Sequence, residues 1–326
     1  MTGFRDILAW PFGVLLSFFY DLSGNYLFSL IVITLIMRLL LLPLAIKQQK
    51  NSAKQLRLQA KVNKIRQKYA SMGREGQMQI SQETQELYQR EGFNANTAGC
   101  MPMALQLIVM MGLYGAIYSP LTRVLQIKAE TVTALEAILK TLPGQEKATQ
   151  TQLGIMNKFN DIVANLPADT IVTKGDISKI KTFIDNFTVF GINLTDLPKD
   201  WKDDGKTILL MIPILAGITA MFSALYTYLK QRRTNPEMAK NPAMGCMTLM
   251  SPLMSLFFSF SFSAGIGVYW IISNILAFIQ IVALDIFLKP DQIIAGEMID
   301  ETVQRRAREA SIKKRKALLE SSQTKE

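Results

Sequence analysis

The sequence contains no histidine and only two cysteines in 326 residues. Without an imidazole there is no base for a Ser-His protease and no histidine ligand for a metal. No group of Cys, Asp and Glu has metal-ligand spacing, and no glycine-rich loop is present to cradle a phosphate. Acidic residues are missing from the long apolar runs until Asp285. That excludes the paired aspartates of an aspartyl intramembrane protease. The chain therefore reads as neither an enzyme nor the carrier of a cofactor.

What is present is apolar and clustered. Hydrophobic residues make up 49% of the chain, concentrated in runs long enough for a hydrocarbon core about 30 Å thick, which takes roughly 20 helical residues. The spacing predicts five transmembrane helices: 25–46, 98–121, 207–229, 246–262 and 266–288. The last two are joined by a tight turn at Ser263-Ala264-Gly265. The fold class is all-α, an integral membrane protein.

The net charge of +10 follows topology rather than a nucleic-acid surface. Basic residues dominate 47–97, 230–245 and 289–326, whereas 122–206 holds eleven of each sign. Positive loops remain in the cytoplasm. The three basic segments fall on one side of a five-span count, so the N-terminus is expected outside and the C-terminus inside, in a bacterial plasma membrane. Cys100 and Cys246 each begin a span on the cytoplasmic side, which argues against a disulfide. Residues 1–24 lack the features of a cleavable signal peptide and read as an external interfacial amphipathic helix rich in aromatics.

Residues 47–97 read as a basic helical hairpin with arms 48–69 and 77–91 around a turn at Met72-Gly73-Arg74-Glu75-Gly76. Leu58, Val62, Ile65 and Tyr69 on one arm, and Ile80, Thr84, Leu87 and Tyr88 on the other, form narrow apolar stripes. The outside segment 122–206 shows helical patterns at 129–142, 149–164 and 176–187, suited to a small cap. The tail carries Arg305, Arg306, Arg308, Lys313, Lys314, Arg315 and Lys316 close together, either a solvated tail or a ribosome- and RNA-facing patch.

Arg38 stands out within the first span. It lies eight residues from the inner end, about 12 Å along a helix, too far for simple snorkelling. An arginine at that depth costs roughly 2.5–3.5 kcal/mol on insertion scales. The spans offer it no ion-pair partner, so it is expected to face a wet cavity. Thr34 shares its helical face. Gln106 in the second span, and Tyr269, Trp270, Ser273 and Asn274 in the fifth, could build a polar groove around it. Each taken singly suits an interhelical hydrogen bond equally well.

In order along the chain stand Gly24-Asn25-Tyr26, Ile33-Thr34 through Arg38 to Pro43-Leu44, Glu86-Leu87-Tyr88, Gly99-Cys100-Met101-Pro102 with Gln106, Ala264-Gly265, Tyr269-Trp270 and Ser273-Asn274. This ordered set resembles the YidC/Oxa/Alb family of membrane protein insertases. The sequence departs from the family's pattern at Ala60, Ala95 and Ser263, and the 122–206 segment is longer than the family's usual connection. The resemblance implies five core helices around a groove open to the cytoplasm and to lipid, in the shorter Gram-positive-like form. It carries the groove arginine onto Arg38, polar groove positions onto Thr34 and Gln106, and client-contacting aromatics onto Tyr269 and Trp270. The partners it implies are nascent membrane proteins, the ribosome through hairpin and tail, a Sec-type translocon and the bilayer, with no DNA. A small-anion transporter using Arg38 as its site is the alternative, although no internal repeat supports it.

Overall fold

The computed structural model describes residues 4–93, 95–145, 151–202, 205–234 and 242–323. It is almost wholly helical: α1 (Phe4–Ser23), α2 (Tyr26–Leu40), α3 (Leu42–Lys68), α4 (Gly73–Arg90), α5 (Ala95–Tyr118), α6 (Pro120–Arg123), α7 (Ala129–Thr141), α8 (Thr151–Asn157), α9 (Phe159–Ala164), α10 (Lys174–Asn186), α11 (Met211–Thr234), α12 (Pro242–Ser261), α13 (Ala264–Phe287) and α14 (Pro290–Gln323). Among the described residues the strands are confined to one small hairpin. In it β1 (Thr188–Val189) pairs antiparallel with β2 (Ile192–Asn193), setting Thr188 opposite Asn193 and Val189 opposite Ile192. The stretch Thr207–Arg233 and helix α13 are each long and apolar enough to cross a membrane. The broken pair α2–α3 makes a third such stretch if taken as one span, and Leu107–Tyr118 and Thr248–Ser261 are shorter apolar segments within α5 and α12. The protein is therefore an all-α, multi-pass membrane protein.

Two compact units emerge, residues 1–42 with 103–280 and residues 43–102 with 281–326. In the first, α1 and α2 are joined by a two-part stop and start. Gly24 takes a left-handed φ of +65°, and its N–H closes on Tyr20 O at 2.7 Å, ending α1. Asn25 then caps α2, its Oδ1 accepting from Phe28 N at 3.0 Å. Glycine supplies the conformation and asparagine the acceptor, which is the physical content of the Gly24-Asn25-Tyr26 motif. Helix α1 buries Ala9, Phe12, Leu16 and Tyr20 and exposes Ile7, Trp10, Val14, Phe18 and Leu22. Both of its stripes are apolar, so one face packs on protein and the other suits lipid. Close approach to α5 depends on Gly112, where a Cβ would meet the Phe12 ring at 2.4 Å.

The apolar run 25–46, expected as one helix, is broken into two. Helix α2 ends at Leu40, with Leu41 as its C-cap, and α3 starts anew at Leu42. Pro43 has no N–H for the carbonyl four residues earlier, and its ring disfavours helical geometry just before it. It therefore sits in the first turn of the next helix instead of the last turn of the previous one.

The segment between α5 and α11 forms a cap with the expected helices plus the small β-hairpin, which the sequence did not reveal. Its helices α7–α10 bury Val132, Leu135, Leu139, Leu153, Ile155, Phe159, Ile162, Ile180 and Phe183, and Phe187 is buried just past the end of α10. These join the same core as Leu16, Tyr20, Tyr26 and Leu30. Phe183 stacks edge-on to Tyr20 at 5.1 Å and to Tyr26 at 5.9 Å, and Phe187 meets Tyr26 at 4.5 Å. Thr173 caps α10 reciprocally with Asp176. The cap also completes α13. The Ala264 N–H donates to Asp196 O at 2.7 Å and the Gly265 N–H to Leu194 O at 2.8 Å, supplying acceptors for amides that a helix start leaves unmet. Asp196 is anchored by Lys206 at 2.9 Å.

In the second unit, α3 and α4 form the expected hairpin with a shorter turn, as α4 starts at Gly73 rather than Gln77. Gly76 packs against the Tyr69 carbonyl, where a Cβ would lie 2.4 Å from it. Leu58, Val62 and Leu87 are buried, and ion pairs flank them: Lys61 with Glu91, Arg57 with Glu91 at 3.8 Å, and Lys68 with Glu83 at 2.8 Å. The hydrogen bond from Lys68 holds the Glu83 carboxyl below its ordinary range, with help from the Tyr69 hydroxyl. The same bond raises Lys68.

Two outcomes follow from this packing. Phe183→Ala should lower unfolding stability by about 3–5 kcal/mol, the usual cost of emptying a buried aromatic site, read as a depressed thermal midpoint of the purified protein. The Lys68–Glu83 contact should hold at neutral pH. It should weaken as pH falls through the depressed Glu83 value, and again at high pH as Lys68 loses its raised proton affinity. Amide protection at 69–76, taken relative to the intrinsic exchange rate at each pH, should fall in acid for the native chain, and in Glu83→Gln it should be low throughout with a flatter pH profile.

Candidate functional site

Arg38 occupies the last turn of α2, and α13 supplies its partners. One terminal guanidinium nitrogen, Nη2, donates to the Ser273 carbonyl oxygen at 2.6 Å and to Ser273 Oγ at 3.0 Å. The other, Nη1, donates to Gln280 Oε1 at 3.0 Å. All three acceptors are neutral. The Nε donor is shielded from solvent and has no partner among the described residues. The last apolar helix thus supplies acceptors to both terminal guanidinium nitrogens. A guanidinium holds five donors in a rigid fork. One residue on each of two nearby turns of α13 fits that geometry, because positions seven apart lie on the same face.

Ser273 is buried, and Tyr269, one turn earlier on the same face, is also buried and interacts with both Ser273 and Arg38. Thr34 is buried too, but its hydroxyl donates to Leu30 O at 2.6 Å within its own helix. It lines the same face of α2 without binding across. Trp270 points elsewhere. Its ring stacks on Phe258 at 5.6 Å and tilts against Phe262 at 6.0 Å, and it lines a small cavity with Met110, Tyr114, Ile117, Ile266 and Tyr269. Asn274 binds a different neighbour, donating to Ala216 O at 3.1 Å and approaching Thr219 Oγ1 at 3.4 Å. It is an interhelical tie between α13 and α11, which a glycine assists: a Cβ at Gly267 would lie 2.2 Å from Ile212. Gln106 lies on α5, but its side chain is outside the described residues.

Gln280 is the residue that sequence reasoning missed. The available signal was its spacing, since it repeats the Ser273 face two turns later in an otherwise apolar helix. Farther along α13, Gln49 donates to the Asp285 carboxylate. This ties the start of α3 to the end of the last apolar helix. The tail basic residues lie on α14: Arg305, Arg306, Arg308, Lys313, Lys314 and Arg315 are exposed, Arg305 lies 3.6 Å from Glu309, and the side chain of Lys316 is outside the described residues.

Residues 18–290 match the family described as 60Kd inner membrane protein. The chain belongs to this family. It is the YidC-type family that the ordered motifs resemble. Among the relatives of the 60Kd inner membrane protein family, membrane protein insertase YidC 2 of Listeria innocua is 24% identical over 94% of this chain and 82% of its own length. The protein of the same name from Bacillus anthracis is 26% identical over 86% of this chain and 80% of its own. Membrane protein insertase YidC of Oleidesulfovibrio alaskensis is also 26% identical, over 84% of this chain but 38% of its own length. The family match covers both Arg38 and its partners on α13.

Proposed function

We propose that the protein is a membrane protein insertase, and that Arg38 attracts the acidic N-terminal tail of a client into a groove within the bilayer. The observation that carries this reading is that Arg38 is held, among the described residues, by neutral acceptors. A carboxylate partner would cancel its charge, whereas a carbonyl, a hydroxyl and an amide orient the guanidinium and leave its field intact. The names of the relatives support the activity, and no nucleotide-binding sequence calls for hydrolysis to drive it.

In this reading α2, α5, α11, α12 and α13 are the five spans, with the N-terminus and the 122–206 cap outside. The basic hairpin α3–α4, the loop after α11 and the tail α14 are cytoplasmic. Hairpin and tail meet the ribosome by charge, and a Sec-type translocon is a further partner. The chain resides in a bacterial plasma membrane. Burial of the client's apolar segment in lipid, about 25 cal/mol per Å², drives the step. The membrane potential adds about 2.3 kcal/mol per charge per 100 mV for a negative tail moving outward. Tyr269 shares the Arg38 face and Thr34 lines it, so both border the client's path; Gln106 and Trp270 are assigned to that path through the family resemblance.

The test is reconstitution in liposomes with a single-span client bearing an acidic N-tail. Arg38→Ala should reduce insertion about tenfold, equivalent to roughly 1.4 kcal/mol of lost attraction, and Arg38→Lys should recover part of it. Gln280→Glu, nearly isosteric, should fall toward the Arg38→Ala level because it neutralises the guanidinium, while Gln280→Leu should insert far better than Gln280→Glu. Insertion by Arg38→Ala at the native rate would sink the charge-attraction reading. Arg38-dependent uptake of a small anion would favour a transporter instead.

A further inference from the structure

The cap carries a residue that folding does not explain. Phe190 is 90% exposed, the most exposed of the large apolar side chains described. It sits at the first turn position between β1 and β2 with φ +51°, followed by Gly191 at +79°. A two-residue hairpin turn with both φ positive strongly favours Asn, Asp or Gly. A bulky residue in the left-handed region is a rare outlier that costs free energy. The chain thus holds an aromatic ring in water, on strained backbone, where a small polar residue would serve the turn better.

Its placement relative to the apolar helices is fixed. The base of the hairpin is pinned to the start of α13, as Leu194 O and Asp196 O accept from Gly265 and Ala264. Phe187, at the other side of the base, is buried against Tyr26 at the start of α2. One step toward the tip, Ile192 packs with Leu209, Ile212 and Ala264, at the beginning of α11 and α13. The hairpin therefore lies at the level where the apolar helices begin and runs from α2 and α13 toward α11. Beside that contact the outward face at the start of α11 is apolar, with Met211, Ile214, Leu215 and Ile218 exposed and Ile208 exposed just before it. Trp201, half-buried against the same cluster, has Lys202 over its ring at 5.4 Å, a pairing typical of the interfacial belt.

We propose that Phe190 is a membrane anchor: the β1–β2 turn inserts its ring into the leaflet on the cap's side, next to the lipid-facing surface of α11. The occupant is lipid rather than protein, because the turn adjoins Ile192, which packs at the start of an apolar stretch long enough to span a bilayer. An interfacial position also gives the exposed aromatic and the strained turn a common purpose, since the ring reaches the acyl boundary only by standing at the tip. The anchor holds the cap down at its edge, independently of how Arg38 acts.

The test uses the full chain, with Cys100 and Cys246 replaced by serine, in vesicles of phosphatidylcholine and phosphatidylglycerol. A nitroxide is attached at Phe190→Cys, with Lys181→Cys as the water-exposed reference and Ile214→Cys as the lipid-facing one. Collision with oxygen should exceed collision with a water-soluble nickel chelate at 190, giving a ratio near that at 214. A ratio matching position 181 overturns the proposal. Shielding from both agents also overturns it, in favour of a protein contact. As a second measurement, Phe190→Trp should add fluorescence that lipids brominated on the acyl chain quench. Added fluorescence that resists those lipids counts against the anchor.

Discussion

A permanently charged guanidinium within an apolar bundle is the constraint around which the first unit is arranged. Arg38 cannot be left bare in hydrocarbon and has no carboxylate partner among the described residues, so α13 must approach α2 closely enough for Ser273 and Gln280 to reach its terminal nitrogens. That requirement sets the face α13 turns toward α2. It also leaves Asn274, about 100° around the helix, to tie α13 to α11. The polar residues of α13 thus divide between two neighbours, and the remaining surface is free to be apolar. Neutral ligation orients the charge without cancelling it. That is an unusual arrangement for a buried arginine, which is ordinarily paired with an acid.

The end of the bundle bearing the cap solves a different problem. Helix α13 begins with amides that need acceptors, and these come from Leu194 and Asp196 of the cap rather than from its own side chains. Tyr26 at the start of α2 is covered by Phe183 and Phe187. The 122–206 segment is thereby part of the same core as the apolar helices, not an ornament attached to them. The second unit is built in the opposite way. It has a narrow buried stripe of Leu58, Val62 and Leu87 flanked by ion pairs, of which the exposed Lys68–Glu83 contact is worth little in water and is weakened by salt.

Much of this was legible in the sequence because it rests on local rules. The apolar stripes marked the hairpin, and Arg38 was conspicuous by its surroundings. The extension of the first helix to Ile46 was misjudged, because an apolar run hides the effect of Pro43 on the residues before it. The hairpin turn was placed too late, since Gly73 and Arg74 serve as well in a helix's first turn as in a loop. The partners of Arg38 were only half found. Ser273 was picked out, but Gln280 was not, although it repeats the Ser273 face two turns later. The β-hairpin at 188–193 escaped altogether, because two-residue strands have no periodicity to read.

The dependence of α13 on the cap has a consequence for the order in which the protein can assemble. Leu194 and Asp196 are synthesised before Ala264 and Gly265, so the acceptors exist before the amides that need them. The last apolar helix is the final piece of the bundle. It arrives carrying both the ligands for Arg38 and a start that only a finished cap can satisfy. The cap therefore acts as a template for closure, and a chain whose cap has not yet formed has no settled position for the helix that completes its arginine site.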